Sequence, residues 1–173
     1  MRKPQVSVII CTHNPRPDLI CWALESLAQQ TIPRDDWELI VVDNASRPAI
    51  DATMVAPSRL KNFLQLVYEP TVGLTQARCT GIRRSTAPLI VFVDDDNHLD
   101  PDYLEVALAI AHQEPTLGAF GGIATAKFEI APPEWLAPVL PNLGIRDYGQ
   151  DPITSWAEEW GPWEPIGAGM VCR

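Results

Sequence analysis

Three consecutive carboxylates, Asp94-Asp95-Asp96, follow directly on five apolar residues, Leu89-Ile90-Val91-Phe92-Val93. Acids that repel one another do not enter a core, so they mark the exit of a buried strand into solvent or onto a cation. Side chains two apart on an extended chain point the same way. Asp94 and Asp96 therefore form a candidate pair of oxygen ligands for Mn²⁺ or Mg²⁺, cations that usually arrive with a substrate's phosphates. A solvated acidic turn, or caps for a helix starting near Asp100-Pro101, would use the same residues. His98, two positions on, reads as a solvent-facing loop residue, with approach to the metal or diphosphate as the alternative.

The elements that must position these acids repeat the same join of apolar run to polar cluster. Val6–Cys11 runs into Thr12-His13-Asn14, Trp37–Val42 into Asp43-Asn44, and Phe63–Val67 into Tyr68-Glu69. Between the runs, Pro17–Gln30, Gly73–Arg84 and Pro101–His112 carry apolar residues at helical spacing, and a shorter helix is expected between Ile50 and Leu60. Strand alternating with helix predicts an α/β domain on a mostly parallel sheet. In such sheets ligands bind outside the carboxyl ends of the strands, so four polar strand ends on one edge make a site. Asp43 capping its own turn, Arg78 as a surface or ion-pair residue, and His112 complementing a helix dipole are the structural readings of the same positions.

Bulk properties bound the rest. The chain has 173 residues, 46% of them hydrophobic, enough for one well-cored domain. A net charge of −9 excludes nonspecific nucleic-acid binding. No apolar run approaches the ~20 residues of a membrane helix. Cys11, Cys21, Cys79 and Cys172 form no CxxC pair and read as reduced, mostly buried thiols of a cytoplasmic protein. Leu117–Gly122 reads as a fifth strand, Glu134-Trp135-Leu136 as a short helix, and 142–165 as a Pro-, Gly- and Trp-rich segment suited to a lid or to substrate binding. Its tryptophans, Trp156, Trp160 and Trp163, with Trp135 before it, either pin this segment or stack on a sugar ring.

Taken together, Val6–Asn14, Val41–Ser46, Gly73–Ile82, Val93–Asn97 and Gly167–Met170 resemble, in order and spacing, the N-terminal part of the family-2 glycosyltransferases with the GT-A fold. The resemblance covers about residues 4–112 and resumes at the end of the chain. It implies a single domain with a nucleotide-sugar-binding half at 1–115 and the start of an acceptor-binding half at 116–173. It also implies inverting, metal-assisted transfer from a nucleotide-diphosphate sugar to a carbohydrate or lipid-linked acceptor. Thr12 and His13 would line the base pocket beside Asn14, and Asp43 would bind base or ribose beside Asn44. Arg78 and Asp95 would lie at the donor, and Asp94 and Asp96 would be the DxD pair on Mn²⁺ or Mg²⁺, Asp96 the more direct ligand.

Two positions depart from the family pattern: Cys79 stands where many relatives have Asn, and Asn44 where some have a second Asp. The family's general base follows the Gly-x-Gly-Met segment, so the resemblance implies a fragment that holds the donor half and stops before the base. The full-length form is expected to work near a membrane. A sugar nucleotidyltransferase would need a Gly-rich basic loop after the first strand, which Thr12-His13-Asn14-Pro15 is not. A receiver domain or phosphatase would place its acceptor Asp early, with a Lys partner. A non-catalytic nucleotide-sugar binding module is the competing reading.

Overall fold

Alternation along the strands decides which layer each residue joins. In β1 (Val6–Thr12), Val6, Val8 and Ile10 enter one core while Ile9 enters another. The same split places Leu39 and Val41 of β2 (Trp37–Asn44) and Leu89, Val91 and Val93 of β4 (Leu89–Asp94) in the larger core. Their neighbours Ile40, Val42 and Phe92 lie in the smaller one. Strands apolar on both faces need cover on both faces, and helices supply it. Helix α1 (Pro17–Ala28) brings Ile20, Leu24 and Leu27, and α3 (Tyr103–Gln113) brings Leu104, Ala107 and Ala111, to the larger core. Helix α2 (Leu74–Arg84) brings Ala77 to the smaller one.

The computed structural model describes residues 3–51, 59–60, 62–145, 147, 149, 151–155 and 165–173. Among these, β3 (Leu64–Glu69), β5 (Ala119–Phe120) and β6 (Val171–Cys172) complete a sheet in the order β3-β2-β1-β4-β6-β5. The first four strands are parallel, and β6 pairs antiparallel with both β4 and β5. The fold is therefore the GT-A type of mostly parallel sheet between helices that the sequence implies. Register aligns the strand exits: Thr12 is level with Asp43, Cys11 with Asp94, and Asn44 with Glu69.

Several expectations change in extent. The fifth strand shrinks to two residues, and the short helix at Glu134 lengthens to a 3-10 helix, Glu134–Leu143. The helix expected between Ile50 and Leu60 falls mostly outside the described residues, as do Trp156, Trp160 and Trp163. Trp135 is exposed. All four cysteines are half-buried thiols, not mostly buried as expected: Cys11 and Cys172 pack at the margin of the smaller core, and Cys21 and Cys79 lie on helix faces that the cores do not fully cover. No helix among the described residues is long and apolar enough to cross a membrane.

Helix α2 approaches the sheet closely at Gly81. A Cβ there would stand 2.5 Å from Ile9 Cγ2 and 3.4 Å from Val42 Cγ2. Ile9 is β-branched and wholly buried, so it cannot swing away. Gly81→Ala should cost about 1–3 kcal/mol by overpacking, more than the helix-propensity gain of about 1 kcal/mol. A urea midpoint unchanged or raised in Gly81→Ala would show the contact to be looser than described.

Candidate active site

The strand exits are tied to one another before any ligand is considered. Asn14 takes a left-handed backbone (φ 51°) as β1 ends, a conformation asparagine tolerates. Its N–H donates to Ser46 Oγ at 2.8 Å, and its Oδ1 accepts from the Arg47 N–H at 2.7 Å. His13 Nδ1 lies 2.6 Å from the Asn44 carbonyl and Nε2 lies 2.9 Å from Asn14 Nδ2. A carbonyl only accepts, so the two contacts fit the tautomer protonated on Nδ1. Asp43 is 2% exposed, and its two oxygens accept from the Ser46 N–H (3.0 Å) and the Ile50 N–H (2.9 Å). Asn44 donates to the Glu69 and Thr71 carbonyls, and its Oδ1 accepts from the Gly73 N–H at 2.7 Å. Gly73 precedes α2 at φ 146°, a region that favours glycine. Thus Asn14, Asp43 and Asn44 build the rim, with His13 exposed upon it.

The acids are arranged differently from the extended pair read in the sequence. Strand β4 ends at Asp94, and the chain turns: the Asn97 N–H donates to the Asp94 carbonyl at 3.1 Å, and Asn97 Oδ1 accepts from the Asp94 N–H at 3.1 Å. Strand alternation therefore does not carry through to Asp96, and the turn, not the pleat, relates the pair. Asp95 accepts a hydrogen bond from Thr12 Oγ1 across the strands. Asp94, on the α2 face with Phe92, has Arg78 Nη2 at 3.8 Å from Oδ1. Arg78 also lies over the Phe92 ring, 5.1 Å from its centroid. Burial raises the Asp94 carboxyl above its ordinary value, Arg78 opposes the shift, and Asp96 and Asp95 reinforce it. Asp95 is raised likewise by burial, opposed by Thr12. Burial pushes the Cys11 thiol up to about 11, so it is no thiolate nucleophile at neutral pH.

Beyond Asp96 lies a cavity of about 470 Å³ between the α1, α3 and glycine-rich segments. Trp22, Asp96, His98, Tyr103, Lys127 and Gly169 contribute to its walls. His98 is exposed, as expected, and stacks on Trp22 with centroids 4.7 Å apart. Lys127 Nζ stands 4.8 Å from the same indole. His112 occupies the last turn of α3.

Residues 7–154 match the family model described as glycosyl transferase family 2. The chain belongs to that family. Validoxylamine A glucosyltransferase of Streptomyces hygroscopicus subsp. jinggangensis is 34% identical over 115 residues, covering 65% of this family-2 chain and 26% of the relative. The mannosyltransferase PcManGT of Pyrobaculum calidifontis, solved with GDP-Man and Mn²⁺, aligns with a TM-score of 0.54 and 31% identity over 73% of this chain and 36% of that one. TarS of S. aureus, residues 1–349 with UDP-GlcNAc, aligns with a TM-score of 0.60 at 24% identity over 75% of this chain and 37% of that one, a likeness of fold. The chain spans about a quarter to a third of the length of the curated relatives it matches.

In this family-2 chain the structure gathers Thr12, His13, Asn14, Asp43, Asn44 and Asp94–Asp96 on one sheet edge, as the strand-end pattern predicts, and brings Arg78 of α2 beside Asp94. Sequence reasoning missed Trp22, which sits within an ordinary apolar helix stripe, and Lys127, which has no pattern around it. It also missed Tyr103, whose partners lie far along the chain at Gly169 and Gly122. The glycines of Gly167-Ala168-Gly169 were visible, but the reason for each was not.

Proposed function

We propose that this chain is the donor-binding part of a glycosyltransferase. It takes a nucleotide-diphosphate sugar with Mn²⁺ or Mg²⁺ and supports inverting transfer of the sugar to a hydroxyl of a carbohydrate or lipid-linked acceptor. The observation that carries this reading is the register that sets Asp43 and Asp94 on either side of the β1 exit. Two strand spacings separate them by roughly 10 Å, room for a nucleoside at one end and its phosphates at the other. That the named relatives transfer glucose or bind GDP-Man with Mn²⁺ supports it.

The cation fits the residues present. Among the described residues no three acids, histidines or cysteines converge on one point. The turn after β4 does offer Asp94, and Asp96 on the cavity wall, for a cation held by one or two carboxylates and completed by substrate phosphates and water. Asp94 and Asp96 would hold it, and it would neutralise the leaving diphosphate. Arg78, beside Asp94, places a second positive charge where that leaving group's charge grows. Thr12 holds Asp95 by its hydroxyl, which keeps the turn in place. Inversion requires the acceptor oxygen to attack the anomeric carbon from the face opposite the diphosphate, helped by a carboxylate base. The scattered cysteines, with no CxxC pair, accord with a reducing compartment, and we assign the protein to the cytoplasm.

Calorimetry with UDP and GDP, with and without Mn²⁺, tests the reading: binding of at least one of them should require the cation. Loss of cation dependence, or no binding of either, would overturn it. Hydrolysis of the matching nucleotide sugar then separates an enzyme from a binding module.

A pH experiment follows from the acids. Asp94 and Asp95 bind protons more readily folded than unfolded, since both are raised. On their account stability is highest below the ordinary carboxylate range and declines as pH rises from there through the raised values of the folded state. At neutral pH a cation should recover that loss, adding about 2.7 kcal/mol at a hundredfold excess over its Kd, or roughly 5–10 °C in Tm for a chain this size. The Mn²⁺-nucleotide gain in Tm should shrink as pH falls and protons compete. A gain independent of pH would place the cation on other ligands.

A further inference from the structure

We propose that Tyr103 is a positioning residue: it pins the Gly167–Gly169 turn against β4 and thereby fixes where Arg78 stands relative to Asp94. For its binding arm this inference rests on the donor-site reading above. The phenol of Tyr103, at the head of α3, donates to the Gly169 carbonyl. A backbone hydrogen bond from Gly122 reaches the same phenol, which burial pushes up to about 12, so it remains a donor across the neutral range. Gly169 has φ 78°, and a Cβ there would meet the Tyr103 Oη at 2.8 Å. Two requirements, the backbone and the phenol, thus coincide on glycine.

From Gly169 the ties run straight to the acids. Its N–H donates to the Phe92 carbonyl at 3.0 Å, and the Phe92 N–H donates to the Met170 carbonyl at 2.8 Å. These bonds lay the turn along β4, two residues before Asp94. Gly167, at the other end of the turn, touches the Arg78 guanidinium so closely that a methyl group would overlap Nη2. Gly167 has no left-handed backbone to explain its glycine. The guanidinium is its explanation. Arg78 is then bounded by three surfaces: the Phe92 ring, the Gly167 backbone and the Asp94 carboxylate. The Asp94 contact is long, at 3.8 Å, and the ring is a weak director, so the Gly167 wall sets the guanidinium's position. Besides the two bonds to Phe92, that wall rests on pairings of β6 with β4 and β5 of two residues each, so the phenol carries a substantial share of the support. The cavity beside Asp96 shares Tyr103 and Gly169, so what fills it acts on the same turn.

Tyr103→Phe keeps the ring and removes the bond, while Gly167→Ala displaces Arg78 and leaves the bond. Three measurements on each variant decide the matter: amide exchange, the NMR signal of the Arg78 Nε–H near the Phe92 ring, and affinity for UDP with Mn²⁺. In Tyr103→Phe the Gly169 and Arg173 amides should exchange about five- to tenfold faster, as loss of one hydrogen bond predicts. The Arg78 signal should shift, and affinity should fall about tenfold. Gly167→Ala should shift the Arg78 signal and lower affinity with those amides unchanged. The double variant should bind no more weakly than Gly167→Ala alone. Faster amides in Tyr103→Phe with the Arg78 signal and affinity at wild-type values would overturn the proposal and leave a structural tie. Wild-type protein that binds no UDP–Mn²⁺ would instead sink the UDP-donor reading, and the Arg78 signal would then decide the positional claim alone: shifted upholds it, unshifted overturns it.

Discussion

Asp94→Asn combined with Asp96→Asn should weaken Mn²⁺-dependent nucleoside diphosphate binding by on the order of 100-fold, about 2.7 kcal/mol. Asparagine keeps the volume and most of the turn's hydrogen bonding while removing two anionic oxygen ligands. The sign of the result separates the two readings of the acidic turn. Were these acids merely solvated, neutralising them in a chain of net charge −9 would ease repulsion of a diphosphate. Binding would then strengthen, with or without metal. Were they the cation's ligands, the metal-free affinity still rises slightly for the same reason, but the metal-dependent increment disappears. Stability should hardly obscure this. The Arg78–Asp94 pair is long and the Asp94 side chain 43% exposed, so its loss costs under about 1 kcal/mol. Burial already penalises the ionised carboxyl, which the neutral amide relieves. Isothermal titration with UDP or GDP, whichever the wild type binds, gives the increment directly. Its persistence in the double variant would remove Asp94 and Asp96 from the metal site.

The parallel layers were legible because β1, β2 and β4 are apolar on both faces, a pattern with few solutions. The site's edge followed from those strands, since every run ends in polar residues at the same end. What stayed hidden depended on contacts distant in sequence. Strand alternation suggested a common direction for Asp94 and Asp96, but a turn closed by Asn97 intervenes, and turn formation one residue past a strand leaves no periodic mark. Asn44 read as a ligand beside Asp43, yet its amide ties β3, Thr71 and Gly73 together. Rim-builders and ligand-binders draw on the same residue types, because both need short polar side chains at loop ends. Only coordinates distinguish a carboxylate facing N–H groups from one facing a cleft. The glycines of the last segment illustrate the same limit: Gly169 answers to its backbone and a phenol, Gly167 to an arginine from another helix.

The proposed reading gives Asp43 both roles, and its replacement should show both. Asp43→Ala removes the acceptor of two backbone N–H groups, of buried Ser46 and half-buried Ile50, in the loop after β2. Hydrogen bonds to a charged acceptor contribute about 1.5–3 kcal/mol each, partly offset by no longer burying the charge. The net loss should be about 2–4 kcal/mol, roughly 6–12 °C in Tm for a domain of this size. Asp43→Asn, which keeps one acceptor oxygen, should lose about half as much. The rim moves with the loop, since Ser46 and Arg47 hold Asn14, and Asn14 meets His13. Nucleoside recognition should therefore weaken about tenfold in Asp43→Asn at a temperature where it stays folded. On the proposed reading the phosphates lie over β4 and α2, two strand spacings away, so affinity for Mn²⁺-pyrophosphate should stay within about twofold. A variant with unchanged Tm would show that the loop does not hang on this carboxylate. Equal losses for UDP and pyrophosphate would place Asp43 at the phosphates, and unchanged UDP affinity despite a lowered Tm would leave it a scaffold residue alone.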